Sequence, residues 1–179
     1  MTEVAKTYGE ALYELGAKEG CSQELLEQME VLTAAFAEQP DFLKLLSSPA
    51  IHKDERLAVL DKSFGTQLHP YLLNFLKILL ERGSVGEFGG CYAAYKERYN
   101  EDNGIEEVRA VTALPLSEAL FEQLREKLER ITGKTVRLQN VVDPAVLGGV
   151  RLELRGKQLE GTVQHQLESL RRSLTQMTL

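Results

Sequence analysis

Through the first hundred residues the apolar side chains recur at intervals of three and four, the spacing that lines one face of a helix. Val4, Tyr8, Ala11, Leu12 and Leu15 make the first stripe, and Gly20 followed by Ser22 reads as a stop and a new N-cap. Leu25, Met29, Leu32 and Phe36 make the second. Pro40 suits the first turn of a short third helix with Phe42, Leu43 and Leu46, which the Ser48-Pro49 step closes. Leu57, Leu60 and Phe64 mark a fourth, ended by Gly65, and Pro70 opens a fifth that runs to Arg82 and Gly83. Val85, Phe88, Tyr92, Tyr95 and Tyr99 mark the sixth; here Phe88 and Tyr92 suit the core, while the hydroxyls of Tyr95 and Tyr99 suit a wet edge. Connections this short belong to neighbouring helices in a bundle.

The pattern changes after the polar run Asn100-Glu-Asp-Asn-Gly104. Val108 to Ala113 is β-like, Pro115 and Ser117 announce a helix with Leu120, Leu124, Leu128 and Ile131, and Gly133 ends it. Val136, Leu138 and Val142 alternate loosely; Val150, Leu152 and Leu154 alternate strictly with Arg151, Glu153 and Arg155, as in a half-buried strand. A turn at Gly156-Lys157, a return through Leu159, and a last helix with Val163, Leu167, Leu170 and Leu174 complete the chain. The expected fold is an N-terminal all-α six-helix bundle over residues 1–104 followed by a small α+β domain over 105–179.

Composition narrows the function more than the fold. Of 179 residues, 43% are hydrophobic and 27% charged, which supports neither disorder nor a membrane class. The formal charge of -6 leaves no general basic field, so no nucleic-acid partner is expected. The charge is uneven: 10 basic and 17 acidic residues lie up to Ile105, against 11 and 10 after it. The most apolar stretch, Tyr71 to Leu80, is broken by Asn74 and Lys77 and falls short of the roughly 20 residues of a spanning helix. Glu3, Glu10, Glu14 and Glu19 make the start too acidic for a leader, so a mature cytoplasmic protein is expected.

Chemistry-bearing motifs fail one after another. Gly133-Lys134-Thr135 has the last three letters of a phosphate-binding loop, but Leu128 stands where the first glycine is required and the tripeptide follows a helix instead of opening one. Gly148-Gly149 lacks the rest of a dinucleotide fingerprint and reads as a turn or bulge. Cys21 and Cys91 are far apart, and His52, His69 and His165 are isolated, so neither a metal nor a general base is indicated. No catalytic residue and no cofactor are expected.

What stands out is an excess of apolar face. Leu72, Leu73, Phe75, Leu76, Ile78, Leu79 and Leu80 cover an arc of roughly 220°, about twice what packing on one side needs. The first helix adds the small residues Ala5, Gly9, Ala11 and Gly16, which would let another helix come close. Either the fifth helix is surrounded by its own domain, or the two helices form a groove for a foreign amphipathic helix.

In order and spacing, the chain resembles the δ subunit of bacterial F-type ATP synthase, the counterpart of the mitochondrial oligomycin-sensitivity-conferring protein. The resemblance rests on Tyr8-Gly-Glu-Ala-Leu-Tyr-Glu-Leu15, Phe42-Leu-Lys-Leu-Leu-Ser-Ser-Pro49, Asn74-Phe-Leu-Lys-Ile-Leu-Leu-Glu-Arg82, Thr112-Ala-Leu-Pro-Leu-Ser117 and Val142-Asp-Pro-Ala-Val-Leu-Gly-Gly-Val150. Glu160-Gly161-Thr162 stands where that family usually has Asp-Gly-Ser. The resemblance implies a non-catalytic stator component, peripheral on the cytoplasmic face of the cell membrane and held there only through its complex. It implies that the helical domain takes the N-terminal helix of a head α subunit and the second domain joins the b subunits of the peripheral stalk. The implied partner-binding residues are Tyr8, Ala11, Leu12, Leu15, Leu72, Phe75, Leu76 and Leu79, and a charge at Leu76 or Leu79 is expected to weaken docking without unfolding the protein. A helical adaptor of another complex is the alternative.

Overall fold

The computed structural model describes residues 2–48, 50–146, 148–154 and 157–162. The turn at 155–156, His165 and the last helix expected around Val163, Leu167, Leu170 and Leu174 lie outside the described residues. The chain divides into two compact units, Met1–Tyr99 and Asn100–Leu179.

The first unit is helical: α1 (Glu3–Lys18), α2 (Ser22–Glu38), α3 (Pro40–Ser47), α4 (Lys53–Phe64), α5 (Pro70–Glu81), a 3-10 turn (Val85–Glu87) and α6 (Phe88–Asp102). Local chemistry sets the ends. The Thr2 hydroxyl accepts the Ala5 N–H at the start of α1, Pro40 and Pro70 occupy first turns, and Gly20 and Gly83 take positive φ just past α1 and α5. Cys21, not Ser22, holds the N-cap position of α2, and its side chain makes no capping bond. Ser22 instead lends its carbonyl to Tyr95, whose hydroxyl donates to it at 2.8 Å.

The core of this unit is strongly aromatic. Phe36 packs edge-on to Phe88 at 5.3 Å and meets Phe42 and Phe64, while Tyr13 meets Tyr95 at 5.4 Å and Tyr99 at 6.4 Å. Tyr95 and Tyr99 are therefore buried, contrary to the wet edge expected for them. The inward row of α6 is Phe88, Cys91, Ala94, Tyr95 and Tyr99, and Tyr92 lies on the flank with Lys96 over its ring.

The second unit is α+β, with β1 (Ile105–Thr112), α7 (Glu118–Thr132), β2 (Thr135–Val142), β3 (Gly149–Leu154) and β4 (Lys157–Thr162) in the sheet order β2-β1-β3-β4. β1 runs parallel to β2 and antiparallel to β3, and β3 pairs antiparallel with β4. The register puts Val108, Ala110, Val136, Leu138, Leu152 and Leu154 on one face and Arg109, Arg137, Arg151 and Glu153 on the other. Arg109 lies opposite Glu153 at 3.3 Å, a cross-strand ion pair. Ser117 caps α7, and Gly133 ends it at φ 66°, its N–H on the Glu129 carbonyl at 2.8 Å. The Gly-Lys-Thr tripeptide is thus a helix stop running into β2, and Lys134 pairs with the buried Glu106 at 3.3 Å.

Candidate docking site on the helical unit

The eight residues implicated on α1 and α5 separate into two sets. Leu72, Leu76 and Leu79 are 0% exposed, and Leu12 and Phe75 are also buried. The wide apolar arc of α5 is explained mainly by its own domain. α2 reaches its start, where the Gln28 side chain accepts the His69 N–H at 2.7 Å. α4 flanks it, through Lys77 to Asp61 at 2.6 Å and Lys53 to Glu81 at 2.9 Å. A charge at Leu76 or Leu79 is therefore a core lesion, and the expectation that such a variant stays folded is corrected: an unpaired charge at a sealed site has no water to solvate it.

Of the small residues of α1, Ala5, Gly9 and Gly16 are likewise spent inside the unit, while Ala11 is exposed. A Cβ on Gly9 would run into the Cys91 carbonyl and lie 2.8 Å from the Ala94 Cβ, and one on Gly16 would lie 2.9 Å from the Tyr95 hydroxyl. The close helix approach that Ala5, Gly9 and Gly16 permit is made by α6 and its surroundings, not by a foreign helix.

A different row remains outside. Val4, Tyr8, Ala11 and Leu15 follow one another at four, three and four, so they form one straight stripe along α1. Val4 is 44% and Leu15 38% exposed, Ala11 is exposed and Tyr8 is half-buried. On α5, the face next to Phe75 carries Tyr71, Asn74 and Ile78, the last 37% exposed. The two helices run antiparallel. The Tyr8 ring meets Phe75 edge-on at 6.5 Å, and at the far end of α1 the Glu19 carboxylate acts on the Tyr71 phenol. The Glu19 carboxylate raises the Tyr71 phenol above its ordinary value of 10.0. The result is an exposed apolar row on α1 with Phe75 beside Tyr8, Ile78 exposed on α5, and the Glu19 carboxylate toward Tyr71.

Of the implicated residues, the structure thus brings Tyr8, Ala11 and Leu15 to the surface with Phe75 beneath them. Leu12, Leu72, Leu76 and Leu79 lie in the core behind. Val4 and Ile78 belong to the outer strip; the same three-and-four spacing that found Tyr8 and Leu15 also marks Val4. The strip offers side-chain burial and no reactive group. Among the described residues no three His, Cys, Asp or Glu side chains stand together as a metal site, and no helix is long and apolar enough to cross a membrane. Cys91, the buried thiol, is pushed up to about 11 by burial and by Glu87, so it is held as an inert neutral group.

The described residues thus form a helical unit with an exposed apolar strip and a small α+β unit. The chain belongs to the ATP synthase delta (OSCP) subunit family, whose description matches residues 4–174. It is 31% identical over 175 residues to ATP synthase subunit delta of Clostridioides difficile, covering 97% of each chain. It is 33% identical to ATP synthase subunit delta 1 of Syntrophotalea carbinolica, covering 94% and 95%. The fold is also that of a chain in the mitochondrial ATP synthase hexamer of Toxoplasma gondii, with a TM-score of 0.78 at 19% identity over 97% of this chain. Its role is that of the family, a non-catalytic stator subunit linking the catalytic head to the peripheral stalk; an adaptor of some unrelated complex is set aside by this membership.

Proposed function

We propose that the strip between α1 and α5 takes the amphipathic N-terminal helix of an α subunit of the catalytic head, and that the second domain joins the b subunits of the peripheral stalk. In this reading residues 1–104 act as a six-helix bundle and 105–179 as the α+β stalk-binding domain, on the cytoplasmic face of the membrane. The observation that carries it is the exposed Val4-Tyr8-Ala11-Leu15 row beside Ile78. Two facing helices already fixed by their own core present a trough for a third helix, which docks by its apolar face.

The mechanical demand fits such a surface. While the rotor turns, the head would turn with it unless tied to the membrane sector, and rotation would then transmit no work. A tie of this kind needs slow dissociation, and a nanomolar contact corresponds to about 12 kcal/mol. Burying several side chains of leucine size at about 1.5–3 kcal/mol each supplies the gross energy from which association costs are subtracted. The preformed core keeps those costs low because little of the site must be ordered on binding.

Calorimetry with a synthetic peptide of the cognate α-subunit N-terminus tests this. Leu15→Asp should weaken binding by tenfold or more with the circular dichroism unchanged. An affinity equal to that of the unaltered protein would remove the strip from the interface.

A further inference from the structure

The apolar strip on α1 and α5 has a charge of opposite sign at each end. Tyr71, Phe75, Ile78 and Arg82 follow one another at four, three and four, the spacing of Val4, Tyr8, Ala11 and Leu15 on α1, so they form a second straight line. With Tyr8 against Phe75 and Glu19 acting on Tyr71, the antiparallel helices bring Arg82 to the end that holds Val4. The Thr2 hydroxyl donates to Glu87 at 2.7 Å and so ties the start of α1 to the turn that follows Arg82.

Most other charges here are engaged or lie off the two lines. Glu81 pairs with Lys53 at 2.9 Å, Lys77 with Asp61 at 2.6 Å, and Glu87 holds the Thr2 hydroxyl. Arg82 is exposed and makes no ion pair among the described residues. At the opposite end Glu19 is exposed on the side toward Tyr71. Lys18 stands about 100° away from it around α1, and Glu3 and Glu14 also fall on the flank away from α5.

The strip therefore runs from a free cation to a free anion with apolar side chains between them. Eleven positions separate Tyr71 from Arg82, about 16 Å at 1.5 Å per residue, which is three turns of a helix laid alongside. The helix dipole favours an acid in the first turn of a guest helix and a base in its last. Such a guest meets opposite charges when its N-terminus lies at Arg82, and like charges when it is turned round.

We propose that Arg82 and Glu19 set the direction of the docked helix. The guest runs parallel to α1 and antiparallel to α5, with a carboxylate of its first turn at Arg82 and a lysine or arginine about three turns later at Glu19. The proposal rests on the reading that the strip takes the α-subunit helix, and it adds the direction of that helix and the charge pattern that selects it.

The test uses the full-length protein and the cognate α-subunit N-terminal peptide, with a nitroxide placed at either end of its helical segment. The N-terminal tag should broaden the methyl signals of Val4 and Ile78 and spare Leu15; the C-terminal tag should do the reverse. Arg82→Glu/Glu19→Lys should weaken binding about tenfold at low salt, with the gap closing to about twofold at high salt. Lys18→Gln should stay within about twofold throughout. All three positions are exposed, and unchanged circular dichroism confirms that the variants fold. An N-terminal tag that broadens Leu15 instead, or unaltered affinity in the charge-reversed protein at low salt, would overturn the proposal while leaving the docking strip in place. Absence of binding by the unaltered protein, or binding with all three methyl groups untouched by either tag, would overturn the strip reading and the proposal with it.

Discussion

The two units hold their shape, and leave apolar side chains exposed, by different means. In the helical unit the large side chains turn inward: Tyr95, Phe88, Leu25, Met29, Leu72 and Leu76 are essentially sealed, and the strip on α1 and α5 is what the outer faces of two core helices have left over. In the α+β unit no residue of α7 is fully buried, and the sealed residues lie mainly on β1. There the shape is held by the sheet register and by polar anchors, with Asn140 pinning the loop before α7 and Glu129 accepting the Val136 N–H at 3.1 Å. The first unit should thus tolerate change on its surface and fail at its core. The second should respond most to loss of its polar ties.

The sharpest way to break this contrast is in the helical core. Leu76→Asp should unfold the first unit or cost at least about 3–5 kcal/mol, since it removes a sealed leucine and leaves a buried charge; a cooperative melt near that of the unaltered protein would refute the core assignment. Gly9→Leu should cost about 1–3 kcal/mol or more by forcing α1 from α6, read as a lowered midpoint in urea. In the other unit, Asn140→Ala strips three hydrogen bonds and should cost about 1–3 kcal/mol. Its signature is faster amide exchange at Leu116, with little change in the helical unit.

Alkaline pH gives a smaller effect, again in the first unit. Burial raises the Cys91 thiol to about 11 from 9.0, and raises the Tyr95 phenol as well. Above pH 9 the unfolded chain loses the thiol proton, and above pH 10 the phenol proton, while the folded one keeps them, so this stability is present below pH 9 and is lost as pH rises toward 11 and beyond. The thermal midpoint should fall over that range, and less steeply in Cys91→Ala.

Much of this was legible in the sequence for a plain reason. Helix faces, Pro40 and Pro70 at first turns, Gly20, Gly83 and Gly133 at stops and the strict alternation of β3 are local signals, and among the described residues α1 to α5, α7 and β3 lie close to where they put them, while Val85 falls in a 3-10 turn before α6 and β1 starts at Ile105. What spacing could not give was the rotation of each helix in its unit. Leu72 and Leu76 are equally apolar whether they face a partner or the core, and only the placement of α2 and α4 around α5 decides it. The same limit misplaced Tyr95, whose hydroxyl finds a carbonyl on α2 rather than water. The exposed row of α1 was within reach, since Val4, Tyr8, Ala11 and Leu15 stand apart from Ala5, Leu12 and Gly16 by about a quarter of a turn, as 3.6 residues per turn requires.

The most direct test is methyl and amide NMR of the intact protein titrated with the α-subunit N-terminal peptide. The largest shifts should fall on Val4, Ala11, Leu15 and Ile78, with Leu72, Leu76 and Leu79 moving little. Shifts centred on another face, with that row unmoved while the peptide binds, would contradict the account.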